Sequence, residues 1–177
     1  MKSKISLLIL VCMVFLTGCS APTPDQILME LNPGIDTVEI NTTFIDAGVK
    51  ASVFGLPVKV TIIENTLDMT QLGQYQITYE VDYRGVVKTI TRVIFVIDET
   101  PPMGTLNIGL DTIIKGQTWV DASITVTDNS LAEVTVTTSG YVNTNFPGDY
   151  MITYVLEDSA GNQSTYYRWV FVIENPN

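Results

Sequence analysis

A self-match at a spacing of 75 residues constrains this chain more than any other feature. Leu31-Asn32-Pro33-Gly34-Ile35-Asp36-Thr37 lines up with Leu106-Asn107-Ile108-Gly109-Leu110-Asp111-Thr112. The same offset pairs Thr43-Phe44-Ile45-Asp46-Ala47 with Thr118-Trp119-Val120-Asp121-Ala122, and Gly73-Gln74-Tyr75-Gln76-Ile77-Thr78-Tyr79 with Gly148-Asp149-Tyr150-Met151-Ile152-Thr153-Tyr154. After one inserted residue, Arg92-Val93-Ile94-Phe95-Val96-Ile97 matches Arg168-Trp169-Val170-Phe171-Val172-Ile173. Matches spread over a whole unit imply two copies of one fold. The repeats are predicted at 28–98 and 103–177. Between them, 99–102 forms a short linker, stiffened by Pro101 and Pro102, which lack backbone donors and favour extended chain.

Each unit reads as β-structure. Tyr75, Ile77, Tyr79 and Val81 alternate with Gln76, Thr78, Glu80 and Asp82, and the second copy repeats the pattern at Tyr150, Ile152, Tyr154 and Leu156. Successive side chains on a strand point to opposite faces, so this is a strand with one buried face. Val58 to Ile62 and Val134 to Thr137 alternate likewise. The last strand of each unit is apolar on both faces, which predicts cover on both sides or packing against the neighbouring repeat. Several short strands punctuated by Gly and Pro in about 70 residues predict an all-β chain of two tandem sandwiches.

The N-terminus carries Lys2 and Lys4, then the apolar run Ile5 to Leu16, then Thr17-Gly18-Cys19. That is the layout of a secretory signal, and a run of about a dozen residues is short of the roughly 20 a spanning helix needs. Leu16-Thr17-Gly18-Cys19 resembles the bacterial lipobox. The resemblance implies cleavage after 1–18, lipidation of Cys19, membrane attachment through that lipid, and a tether over 19–27. Attachment by two or more acyl chains is stable, whereas one is marginal. Ser20 permits outer-membrane sorting in one envelope type and carries no information in the other.

Without residues 1–18, seven basic residues face nineteen acidic ones, a net charge of −12, with no histidine and Cys19 as the only cysteine. Internal disulfides are therefore excluded, and the acidic balance argues against nucleic acid or anionic lipid as direct partners.

The motifs Gly116-x-Thr118-Trp119-x-Asp121-Ala122, Pro147-Gly148-x-Tyr150-x-Ile152-x-Tyr154 and Asp158-Ser159-Ala160-Gly161-Asn162 resemble those of bacterial immunoglobulin-like repeats strung together in surface proteins. The resemblance covers about 28–174. It implies an immunoglobulin-like sandwich with a tyrosine corner at Gly-x-Tyr, the tyrosine hydroxyl returning to backbone upstream. Such repeats serve as spacers, adhesion modules or carbohydrate-associated accessories. The first copy departs at Tyr83-Arg84-Gly85, which replaces the Asp-x-Ala-Gly-Asn turn.

Hydrolysis by a Ser or Cys nucleophile normally wants a histidine base, and there is none. Glu157 with Asp158 and Asp98 with Glu99 are carboxylate pairs, but neighbours on a strand point apart, and solvated turn and linker charge is the simpler reading. The chain is thus read as non-enzymatic, with no catalytic, cofactor or metal residue assigned and a carbohydrate-active hydrolase as the remote alternative. Calcium is the one cofactor the turns admit: Asp128-Asn129-Ser130, Asp158 to Asn162 and Asp98-Glu99 offer oxygens, at most as an interdomain site. Asp, Asn and Gly are also simply what tight turns use. In Tyr166-Tyr167-Arg168-Trp169, the face of Tyr167, Trp169 and Phe171 is expected in the core. Tyr166 and Arg168, with Val170, then form an exposed platform for an extracellular protein or glycan, or ordinary packing. Asn41-Thr42-Thr43 and Asn162-Gln163-Ser164 match a glycosylation pattern by chance. The expected role is a lipid-anchored surface module for binding, adhesion or spacing, with docking into an envelope complex as the alternative.

Overall fold

A computed structural model describes residues 22–130 and 132–175; the signal segment and the Cys19 lipidation motif lie outside the described residues. The expected tether ends early. Pro24–Gln26 form a single 3-10 turn and Ile27, fully buried, opens the first strand.

The first unit is built from two sheets. β1 (Ile27–Leu31), β3 (Val49–Val53) and β4 (Leu56–Pro57) form one; β2 (Thr37–Glu39), β7 (Val86–Ile97), β6 (Gly73–Tyr83) and β5 (Thr61–Asn65) form the other, in that order. In the second unit β8 (Met103–Leu106) pairs with β10 (Ile124–Thr127). Its larger sheet runs β11 (Thr135–Ser139), β12 (Gly148–Glu157), β13 (Gln163–Ile173), β9 (Thr112–Ile114). In both units a short early strand joins the last strand in parallel, β2 on β7 and β9 on β13. The chain is all-β, with its buried apolar side chains between facing sheets.

The alternating strands behave as the pattern demands. Ile77, Tyr79 and Val81 on β6, and Ile152, Tyr154 and Leu156 on β12, are all buried. Val58, Val60 and Val134 pack against these cores, although the ladders they precede begin only at Thr61 and Thr135. Tyr75 donates its hydroxyl to the Gln71 carbonyl (2.9 Å) and Tyr150 to that of Phe146 (2.8 Å), the expected corner in both copies.

The last strands differ from expectation. On β13 the buried side chains are Arg168, Val170 and Val172, while Tyr167, Trp169 and Phe171 stand outside; on β7 Arg92, Ile94 and Val96 face in, and Val93 and Phe95 face out. Register decides this. Residues directly opposite in an antiparallel pair share a face, and Ile152 faces Arg168 while Tyr150 faces Val170. Once Ile152 is in the core, Arg168 must be too.

Candidate functional site

Two polar constellations are built into this frame, one repeated in both units and one unique to their joint. The repeated one surrounds the buried arginines. Arg168 is 2% exposed. Its Nη1 donates to both oxygens of Asp111 (2.7 and 3.0 Å), and its Nη2 to the carbonyls of Asn107 (2.6 Å) and Ser123 (3.2 Å). Its Nε donates to the Tyr154 hydroxyl and lies 3.6 Å from Asp121, which accepts from that same hydroxyl. Arg92, 1% exposed, repeats the arrangement with Asp36 (2.6 Å), the carbonyls of Asn32 and Gly48, and Asp46, which accepts from Tyr79. A guanidinium offers five donors in a planar fork, and here they bind together three segments distant in sequence. Burial opposes the charge of Arg168, but the bonds to Asp111 and Tyr154 outweigh it and raise its pKa. Burial, then the bond to Asp46, pushes the Tyr79 hydroxyl up to about 12.

This corrects the proposed platform. Arg168 is structural and inaccessible, and Tyr166 is half-buried against the second core. The exposed aromatic face is instead Tyr167, Trp169 and Phe171, with Met151 opposite Trp169. The sequence puts Arg168 outside because a charged residue is normally solvated, and strand register overrides that preference. The signal that would have placed it was present: Arg, both aspartates, the Asn and the Tyr of the node all occur in both copies at matching positions.

The second constellation is the joint. Asp98 at the end of β7, Asp128 after β10 and Asp158 after β12 bring carboxylate oxygens within 4.8 Å of one another. The two carboxylate pairs seen in the sequence do not act as pairs; one member of each comes here. Glu157 instead accepts from Gln163 at the surface. Asp158 organises its loop by accepting from the backbone of Ala160 and Asn162 and from the Asn162 side chain. Burial opposes this charge, but those bonds hold its pKa below the ordinary carboxylate value. Asn162 also donates to the Asp98 carbonyl (3.0 Å), tying the loop to the linker. Asp98 lies the other way: burial first, then Asp158 and Asp128, raises its pKa.

Glu39, which no sequence motif marks, closes the joint from the first unit. Its carboxylate accepts from the backbone of Glu99 and Thr100, the Thr100 hydroxyl (2.7 Å) and the Asn129 amide (2.8 Å). Asn41 donates to the Asn129 carbonyl (2.8 Å), so both asparagines of the chance glycosylation motifs serve the joint. Pro102 is fully buried, its carbonyl bonded by Ser164. The linker is therefore capped at Glu99 and Thr100 and packed at Pro102, with Pro101 exposed between them, where the prolines alone predicted only stiffness. A cleft of about 360 Å³ opens beside it, lined by Ile40, Thr70, Leu72, Ser130, Ala132 and Ser159.

At the opposite end of the first unit, where the chain enters, the β3–β4 turn exposes Phe54 and Leu56 near exposed Leu28. A trough of about 890 Å³ there is lined by Leu28, Glu30, Lys50, Ser52, Pro57 and Lys88 among others.

Residues 110–172 match the family pattern described as a bacterial surface protein, Ig-like domain. No curated protein matches the chain. Among solved structures, human mucin-like protocadherin EC1-2 is 13% identical, covering 84% of this chain and 99% of that one, with a TM-score of 0.35. A lipoprotein from Bacteroides thetaiotaomicron is 15% identical over 79% of each chain, with a TM-score of 0.36. The protocadherin GammaB4 extracellular domain is 14% identical over 83% of this chain and 26% of that one, at 0.36. The family match falls within the second sandwich, which is similar there to immunoglobulin-like domains of bacterial surface proteins.

Proposed function

We propose that the chain is a lipid-anchored, non-enzymatic surface module whose two sandwiches hold a contact face away from the bilayer. The observation that carries this reading is that residues 110–172 match a bacterial surface Ig-like domain and the same stretch exposes Tyr167, Trp169 and Phe171. Aromatic side chains with flat apolar area are well suited to contacts with sugars and proteins.

Anchoring rests on Leu16 to Cys19 and is supported by the entry end of the fold. Phe54 and Leu56 are 60% and 70% exposed there, and Lys50 and Lys88 line the adjoining trough. Apolar tips beside cations suit the headgroup boundary of a membrane.

Cells fed an alkyne-tagged fatty acid should label the protein at Cys19. Cys19→Ser should lose the label and shed the protein from the membrane fraction; retention in the membrane without label overturns the anchor. A survey on glycan arrays, purified cell wall and matrix proteins tests the contact role. Saturable binding lost in Trp169→Ala supports it. Silence from folded protein, with one envelope protein co-purifying, replaces it with a docking subunit. Turnover of any substrate overturns the non-enzymatic reading.

A further inference from the structure

The carboxylates of Asp98, Asp128 and Asp158 converge from three segments that are distant in sequence, with their oxygens within 4.8 Å of one another. Oxygens bound to one calcium ion at 2.3–2.6 Å can be no more than about 5 Å apart. The spacing is therefore that of a shared coordination shell.

Two observations besides the acidity point to a cation. Asp98 is 8% exposed, and its Oδ2 is buried with no hydrogen-bond donor; the neutral amide oxygen of Asn129 is likewise buried and unpartnered, as is Asp128 Oδ2. Buried acceptors normally find donors, and leaving several unmet at one place is what an ion would repair. Five ion pairs lie elsewhere: Arg92 holds Asp36 and Asp46, Arg168 holds Asp111 and Asp121, and Lys115 holds Glu174.

We propose that a calcium ion binds at this joint, ligated by Asp98, Asp128 and Asp158, and locks the two sandwiches together. The donor set is oxygen throughout, which selects hard cations over zinc or copper. A site enclosed by three segments must strip most of the ion's water. Calcium tolerates that, and magnesium resists it. Asp98 belongs to the end of the first unit and the other two to the second, so the ion replaces mutual repulsion with a shared bond across the joint. The inference stands whether or not the chain is lipidated.

The test is calorimetric titration of the purified chain, stripped with chelator, with calcium chloride. The expected dissociation constant is on the order of 0.1–1 mM, the range of extracellular calcium modules. Asp98→Asn and Asp128→Asn should each weaken binding by about tenfold or more through loss of ligand charge, while Asp68→Asn, on an exposed turn, leaves it unchanged. Melting supplies a second readout that a merely structural role would not move. In chelator Asp98→Asn should melt at or above the parent, because a repelling charge is gone; in calcium it should melt below. Calcium should also slow protease cleavage within 98–102 several-fold. No heat and no melting shift at several millimolar calcium overturns the site. So does binding that survives both substitutions, and an Asp98→Asn defect of equal size with and without calcium. An equal response to magnesium chloride overturns the assignment to calcium.

Discussion

The loops at the entry ends of the two sandwiches hold the same places in the fold and carry opposite chemistry. In the first unit they are Val53-Phe54-Gly55 and the tight turn Asp82 to Gly85; in the second they are Asp128-Asn129-Ser130 and the longer Asp158 to Asn162. Arg84 and Gly85 have positive φ (56° and 80°), giving the two-residue turn that a twisted hairpin favours. Asp82 spends its carboxylate on Gly85 of its own turn, and Tyr83 stands where the second unit has Asp158, which faces the joint. The exit ends differ too. Glu39, which caps the linker, corresponds to Ile114, and Asp98 corresponds to Glu174, which pairs at the surface with Lys115. The arginine node and the corner tyrosine, kept in both copies, hold each sandwich closed, while the carboxylates of the joint differ between the copies.

The sharpest test of the shared half is the arginine node. Arg168→Met and Arg92→Met should each cost about 3 kcal/mol, since each removes a buried guanidinium and leaves its partly buried carboxylates and carbonyls without their donor. Urea unfolding measures this, and a near-neutral result in either unit would break the equivalence. Tyrosine titration probes the same node. A hydroxyl raised in the folded state contributes stability that is complete below its unfolded pKa, about 10, and is lost as pH rises through its folded one. For Tyr79 that window runs from about 10 to about 12. Tyr79→Phe should flatten the alkaline loss of stability over that range.

The parity of the last strand gives a paired prediction. Val170→Ala should destabilise by about 2 kcal/mol, the value of a buried valine, while Trp169→Ala should stay within about 0.5 kcal/mol. The reverse order would restore the face assigned from sequence. At the joint, Glu39→Ala should cost about 1 kcal/mol and loosen the coupling of the two units, seen as a broader or split melt. Lys115→Ala, at an exposed pair in the second unit, should change stability by close to zero.

Much of the fold was legible because it depends on local period. Ile77, Tyr79 and Val81 sit inside because every second residue of that stretch is apolar. The corner tyrosines follow from Gly-x-Tyr, and the turns from Asp, Asn and Gly. The face of β13 was not legible, because its two faces are equally apolar and the one charge on it argued for the wrong side. At the joint, Asp98, Asp128 and Asp158 were each visible as turn carboxylates, but not their meeting. Glu39 gave no signal at all, since a lone glutamate on a short strand looks like any solvated edge residue.

The amino-acid sequence by itself carried the self-match at a spacing of 75, where the strands alternate, and the lack of cysteine and histidine among the described residues. Those properties reside in spacing and composition, which one chain carries without reference to its own folding. Only the tertiary structure decided which face of the last strand is buried and which carboxylates converge at the joint. Both depend on strand register and on contacts between residues 30 to 90 positions apart, and no local pattern encodes them.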